Sequence, residues 1–145
     1  MLSQTSLAKE AAKISAIAKD VSEVLSTLDL PVGQVRDLRV AYHAACSLQH
    51  GQQIKSAPKD LLKAAGYEIV EPVDSHLCCG SAGTYSILQP DLSNQLKENK
   101  VRNLEANNPD VILTANIGCQ MHLESGASTP VMHWLEFVAD QLPGR

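Results

Sequence analysis

Apolar residues near the amino terminus recur in steps of four and three: Leu7, Ala11, Ile14, Ala18, Val21, Leu25 and Leu28. That spacing places them on one face of a helix, so the pattern predicts one long helix over residues 4–28, within an amino-terminal segment of residues 1–30. Such a stripe faces either the chain's own sheet or a partner, and the chain's own core is the simpler reading. Pro31 and Gly33 then break the pattern. From Leu38 onward the signal changes. Short apolar runs at residues 38–43, 67–70, 111–115 and 130–133 read as strands, and the run over 111–115 is apolar enough to be buried on both faces. Between and after them, residues 59–65, 91–107, 119–124 and 134–141 read as helices. Ser56 is a candidate N-cap and Gly66 a stop for the first of these. Pro109 ends the second, whose apolar spacing is irregular. Its run Lys97-Glu98-Asn99-Lys100 reads as a solvated face, as does Lys59-Asp60. Strands alternating with helices imply an α/β fold: a small parallel four-stranded sheet with helices on both faces over residues 38–142, preceded by the long amino-terminal helix.

Composition narrows the function. The 145 residues are one domain's worth, and 44% hydrophobic content suffices for a real core. A formal net charge of −4 and only 3% aromatics argue against nucleic acid, which calls for a clustered positive field and stacking platforms. No run of about 18 apolar residues predicts a membrane span, which leaves room for peripheral membrane association. The start of the chain lacks the basic-then-apolar pattern of a signal peptide. The expected setting is therefore cytoplasmic, where thiols stay reduced and four cysteines read as metal or redox chemistry before disulfides.

The cysteines carry the candidate chemistry. Cys78 and Cys79 are adjacent and followed by Gly80, while Cys46 and Cys119 stand far off on either side. Neighbouring cysteines make poor disulfide partners, because the peptide link holds their Cβ atoms badly for an unstrained bridge. As ligands of one metal centre they make sense, and a distant cysteine from each side completes a four-sulfur shell. A buried small hydrophobe explains one cysteine but not a doublet. Cys46, Cys78–Cys79 and Cys119 each follow a predicted strand, and His133 ends the fourth. Ligands of open parallel sheets bind at the carboxyl ends of strands, so all four thiols are expected on one sheet edge. His122, one helical turn after Cys119, reads as a fifth ligand or a solvent-facing residue. His43 and His133 read as residues beside the ligands rather than ligands, and His50 and His76 as loop residues. Gly80 and Gly83 could wrap backbone N–H groups around sulfur, and Gly118 allows a sharp turn before Cys119. Three classes of function follow: an electron-transfer domain with an iron–sulfur cluster, a structural or interaction domain with zinc, and a thiol–disulfide enzyme. The third would leave two cysteines idle.

The segments Tyr42-His43-Ala44-Ala45-Cys46, Cys78-Cys79-Gly80-Ser81-Ala82-Gly83 and Asn116-Ile117-Gly118-Cys119 resemble the cysteine-rich CCG domain. That family occurs in heterodisulfide reductase, anaerobic glycerol-3-phosphate dehydrogenase and the iron–sulfur subunit of glycolate oxidase. The similarity is greatest to the carboxyl-terminal region of the last, through residues 75–85 and Val131-Met132-His133-Trp134. The resemblance implies that residues 1–145 are a single CCG-type domain, a fragment of a longer subunit. It also implies an iron–sulfur cluster ([4Fe–4S], cubane or non-cubane, with zinc the alternative). The implied partner is an FAD-bearing subunit that oxidises glycolate to glyoxylate, so this chain is not expected to be catalytic alone. The family pattern ends in a fifth cysteine where this chain has His122. Four thiolates are what the chain itself offers.

Overall fold

A computed structural model describes residues 6–28 and 37–142, in two compact units divided between Leu30 and Pro31. The amino-terminal unit holds α1 (Ser6–Ile17) and α2 (Val21–Leu25). One long helix was expected here, and two are found. Asp20 divides them: its Oδ1 accepts a 2.9 Å hydrogen bond from Ser22 N, and its own N–H donates to Glu23 Oε2 at 2.9 Å. This reciprocal capping box satisfies donors that a continuing helix would have used internally, so a new helix starts. The i, i+3, i+4 stripe overshadowed that Asp-x-x-Glu signal. Leu7, Ile14 and Ile17 are exposed. Gln4 and the Pro31–Gly33 break lie outside the described residues.

The second unit runs β1 (Arg39–His43), a π-helical turn (Ser47–Gly51), α3 (Ala57–Ala64), β2 (Glu68–Val70), α4 (Tyr85–Leu88), α5 (Pro90–Glu105), β3 (Val111–Thr114), α6 (Ile117–Glu124), β4 (Val131–His133) and α7 (Trp134–Asp140). The four strands are all parallel, in the order β2-β1-β3-β4. Central β1 and β3 are buried along almost their whole length, as strands covered on both faces must be. The edge strands are only three residues each, which limits exposed pairing groups. Ala41, Ile112, Leu104, Leu123 and Val131 form the centre of the core.

This strand order has a consequence for function. The chain leaves β1 toward β2 on one side, then returns across β1 to place β3 on the other. With right-handed crossovers, α3 covers one face and α5 with α6 the other. Between β1 and β3 the direction of winding reverses. That reversal opens a crevice at the carboxyl ends of these two strands, the usual ligand position in such sheets.

Two expectations changed. α6 begins at Ile117, so Cys119 lies within its first turn rather than at its start. Lys100, expected on a solvated face, is 1% exposed. The buried residues of α5 are Ser93, Lys100, Val101 and Leu104, all on one side of the helix. Two polar residues within that stripe are what made its apolar period look irregular.

Candidate metal centre

The carboxyl ends of β1 and β3 bring His43 and Thr114 into register as neighbours. Three residues after His43 the backbone enters the π-helical turn with Cys46, half-buried. Gln52 N donates to Ser47 O at 3.0 Å to close that wider turn, and Gln49 Nε2 donates to Ala44 O at 3.0 Å to fasten it to the strand end. Single π turns recur at functional sites because they re-aim side chains that an α turn would point elsewhere. Past β3, Asn116 caps α6: its Oδ1 accepts from Cys119 N at 3.1 Å, which fixes the Cys119 backbone at the helix start.

The cysteine doublet arrives on the loop after β2. Gly80 has a φ of +91°, and a Cβ there would lie 2.5 Å from Ser93 O on α5. Only glycine permits both the left-handed turn and this approach. The Gly80 N–H donates to Cys78 Sγ at 3.3 Å, and the Ser81 backbone N–H supports the Cys79 sulfur. Ser93 Oγ donates to Gly80 O at 2.9 Å and lies 3.2 Å from His122 Nε2. Because the Ser93 proton is spent on a carbonyl, His122 Nε2 must be the donor to Ser93 Oγ. His122 thus braces the doublet's loop through Ser93.

The four thiols gather as two linked pairs. Cys46 is hydrogen-bonded to Cys78, and Cys119 to Cys79. The Cys119 S–H donates to Cys79, which is thereby held well below the ordinary thiol range, with help from His43 and the Ser81 N–H against the opposing effect of burial. Cys119, which keeps the shared proton and is buried, is pushed far up. Burial, with Cys78 beside it, raises Cys46 to about 11. The ligating atoms of His43, Cys79 and Cys119 all lie within 4.8 Å of one another, and all three residues are buried. His43 is 1% exposed, its ring lies beside the Cys79 sulfur, and neither ring nitrogen has a hydrogen-bond partner. The Thr114 hydroxyl beside it is buried and unpartnered too. Buried polar atoms are rarely left orphaned, so this edge is shaped for something that would use them. Four thiols and an imidazole form a donor set for iron–sulfur or zinc, which favour sulfur and nitrogen ligands.

Of the other residues singled out in the sequence, His133 Nδ1 accepts from Leu135 N at 3.3 Å as the cap of α7, and His50 and His76 are exposed. His122 stands apart from the compact donor trio, which instead takes in His43. Gly83, at a φ of +55°, and Gly118 line an open cavity of about 560 Å³ with Ser81, Asn116, Met121 and His122, on the outer side of the doublet's loop. Three residues of the site were given no role in it by the sequence: Ser93 was not singled out, Lys100 read as part of a solvated face, and Asn116 stood only within the segment that carries the resemblance. Asn three residues before Cys119 is a capping signal that could have been read. Nothing local marks the other two.

Residues 40–124 match the family described as the cysteine-rich domain, CCG. The glycolate oxidase iron-sulfur subunit of Escherichia coli (strain K12) is 43% identical over 93% of this chain and 33% of its own length. Lactate utilization protein A of Geobacillus sp. (strain WCH70) is 32% identical over 72% of this chain and 47% of its own length. Lactate utilization protein A of Exiguobacterium sp. (strain ATCC BAA-1283 / AT1b) is 31% identical over 87% and 53%. The chain therefore spans from a third to about half the length of these relatives.

Proposed function

We propose that this chain, which belongs to the cysteine-rich CCG domain family, holds an iron–sulfur centre and relays electrons within an oxidoreductase complex. The observation that carries the reading is the meeting of four thiols, drawn from three loops that follow three different strands, at the crevice where the sheet reverses its winding. Cys46, Cys78, Cys79 and Cys119 are the ligands in this reading, of a cluster of the [4Fe–4S] kind. When bound, such a cluster stores and passes single electrons at a potential set by its charge, burial and hydrogen bonds. The chain's own residues set those terms. The N–H groups of Gly80 and Ser81 are aimed at sulfur, the His43 ring lies beside Cys79, and the bulk of β1, β3 and α5 keeps water from the inner side.

The relatives' names supply the wider context. In this reading the electrons come from an FAD-bearing partner subunit that oxidises a small 2-hydroxy acid, glycolate in preference to lactate given the higher identity, in the cytoplasm. Among the described residues no helix is long and apolar enough to cross a membrane. A second reading, a structural zinc site in the same subunit, is favoured by one observation: the His43, Cys79 and Cys119 donor atoms are close enough to share a single ion.

An anaerobic preparation decides between them. The first reading expects a brown protein with about four iron and four sulfide per chain; the second expects a colourless one with stoichiometric zinc. In the intact complex, Cys79→Ala should stop electron delivery to an artificial acceptor while glycolate still bleaches the flavin. Normal acceptor reduction by a fully assembled Cys79→Ala complex would remove this chain from the electron path.

A further inference from the structure

Two buried side chains at the cysteine edge carry polar atoms that the fold itself does not use. His43 is 1% exposed and Thr114 is 0% exposed. Among the described residues, neither nitrogen of the His43 ring has a hydrogen-bond partner, and neither has the Thr114 hydroxyl. Buried polar atoms of native proteins are rarely left this way, because they lose water and gain nothing in return. The two residues also belong together. His43 ends β1, Thr114 ends β3, and they are partners in the register of those strands. Neighbouring parallel strands run roughly 5 Å apart, and residues level with each other project to the same face. A hydroxyl that turns about its own bond therefore stands beside an imidazole that turns about two.

The same imidazole faces sulfur. The ligand atoms of His43, Cys79 and Cys119 all lie within 4.8 Å of one another. At zinc–sulfur and zinc–nitrogen bond lengths, tetrahedral ligands of one ion stand roughly 3.5–4 Å apart. A contraction of about an ångström closes this trio on a single ion. All three residues are buried, whereas Cys46 and Cys78 are only half-buried. A ligating imidazole gives one nitrogen to the metal and donates the N–H of the other to an oxygen, which fixes its tautomer and angle. Both kinds of partner are at hand for His43: two thiols for one nitrogen, Thr114 Oγ1 for the other. That single arrangement employs every orphaned atom of the pair. A His43 that merely lined the site would leave them idle.

We propose that His43 is itself a metal ligand: one ring nitrogen joins Cys79 and Cys119 on a single ion, and the other donates to Thr114 Oγ1. Thr114 is a positioning residue, which touches no metal and holds the imidazole at the angle the ion requires. Three donors leave a tetrahedral ion one position, open to an outer thiol. The inference rests on the metal-centre reading above and holds for both of its forms. With zinc, His43 is a resident ligand. With iron and sulfide, the trio receives the first ferrous ion, and Cys46 and Cys78 complete the shell. The signature of Thr114 is a difference between two states. Its hydroxyl serves the loaded protein, while in the metal-free protein it is a buried group without a partner.

The test uses the full chain, kept anaerobic, as wild type, His43→Leu, Thr114→Val and Thr114→Ser, with Co²⁺ as the probe ion. Affinity is read by competition with a chelator, the ligand atoms by X-ray absorption, and the thermal midpoint on the metal-free chain. Wild type should show nitrogen together with sulfur around the first Co²⁺. His43→Leu should lose the nitrogen and bind more than about a hundredfold more weakly, beyond the range of an outer partner. Thr114→Val keeps the shape without the hydroxyl and should bind about tenfold more weakly. Its metal-free midpoint should be unchanged or higher, because a buried orphan is gone. Thr114→Ser keeps the hydroxyl and should restore binding to within about threefold of wild type on the same ground. Sulfur alone around Co²⁺ in wild type, or wild-type affinity in His43→Leu, overturns the proposal and leaves the metal-centre reading standing. Wild-type affinity in Thr114→Val, or a metal-free midpoint that falls in step with its affinity, overturns the role of Thr114. A wild-type chain that binds Co²⁺ through nitrogen and sulfur but never assembles iron and sulfide supports the proposal and defeats the iron–sulfur reading alone. A wild-type chain that binds no thiolate-seeking metal defeats both.

Discussion

Cys79 and Cys119 lie almost wholly inside the protein, 1% and 9% exposed, whereas Cys46 and Cys78 are half-buried. The inner pair is fixed from several directions. Asn116 holds the Cys119 backbone, the Ser81 N–H and the His43 ring address the Cys79 sulfur, and Gly80 packs against α5 within a bond's reach of Ser93. The outer pair has less support. Cys46 opens a single π-helical turn and Cys78 ends a loop held by Lys100 through two carbonyls. The difference shows where preorganisation resides. Cys119 sits in the first turn of α6, and Cys79, though on the loop after β2, is held against the end of β1 and against α5 through Gly80, where the core dictates position. The outer two lie on stretches of connecting segment without such anchors, and less-buried segments open more easily. An inner floor that is already built and an outer rim that closes over it would suit a centre assembled from one side.

Removing sulfur should break this comparison most visibly. Cys79→Ser or Cys119→Ser should abolish retention of iron and sulfide during desalting, a loss of more than about tenfold, since each takes a ligand from the fixed floor. Cys46→Ser should retain a measurable fraction, because the remaining three thiols and His43 still face one another. Metal and sulfide analysis of the three variants side by side would show it; equal loss in all three would mean that floor and rim do not differ.

A smaller effect tests how the floor is held. Gly80→Ala forces a Cβ into the Ser93 carbonyl at a left-handed φ, and should cost roughly 2–5 kcal/mol of metal-free stability from strain and overlap together. Ser93→Ala removes the hydroxyl that joins Gly80 to His122 and should cost about 1–2 kcal/mol. Urea denaturation of the metal-free chains measures both. A Gly80→Ala variant as stable as wild type would show that the doublet's loop can step away from α5, and that the close approach does not fix the inner sulfur.

The smallest expected effect is kinetic. In the metal-free chain under native conditions, a thiol alkylating agent should modify Cys46 and Cys78 before Cys79 and Cys119. Cys79 is the stronger nucleophile by its low pKa, but it is shut away from the reagent. Loading with metal should protect all four. Mass spectrometry of a short time course reads the order, and early labelling of Cys79 would mean that ionisation, rather than burial, governs this edge.

Much of this was legible along the chain. The alternation after Leu38 implied a parallel α/β sheet, and β1, β2, β3 and β4 fall where their apolar runs stand. The placing of each cysteine after a strand was enough to expect one shared edge. That follows because period and length report local burial, and in a parallel sheet every strand end points the same way. Three matters were beyond local pattern. The order β2-β1-β3-β4, and with it the crevice between β1 and β3, depends on which strand faces meet, and no single segment records that choice. The exchange of roles between His43 and His122, one facing the inner thiols and the other bracing Ser93, depends on where α5 crosses the doublet's loop. Lys100 read as a solvated helix residue because charge in a sequence signals exposure. Only packing against the cysteine edge puts its ammonium inside, where the carbonyls of a strained turn and the neighbouring thiols make a buried cation tolerable.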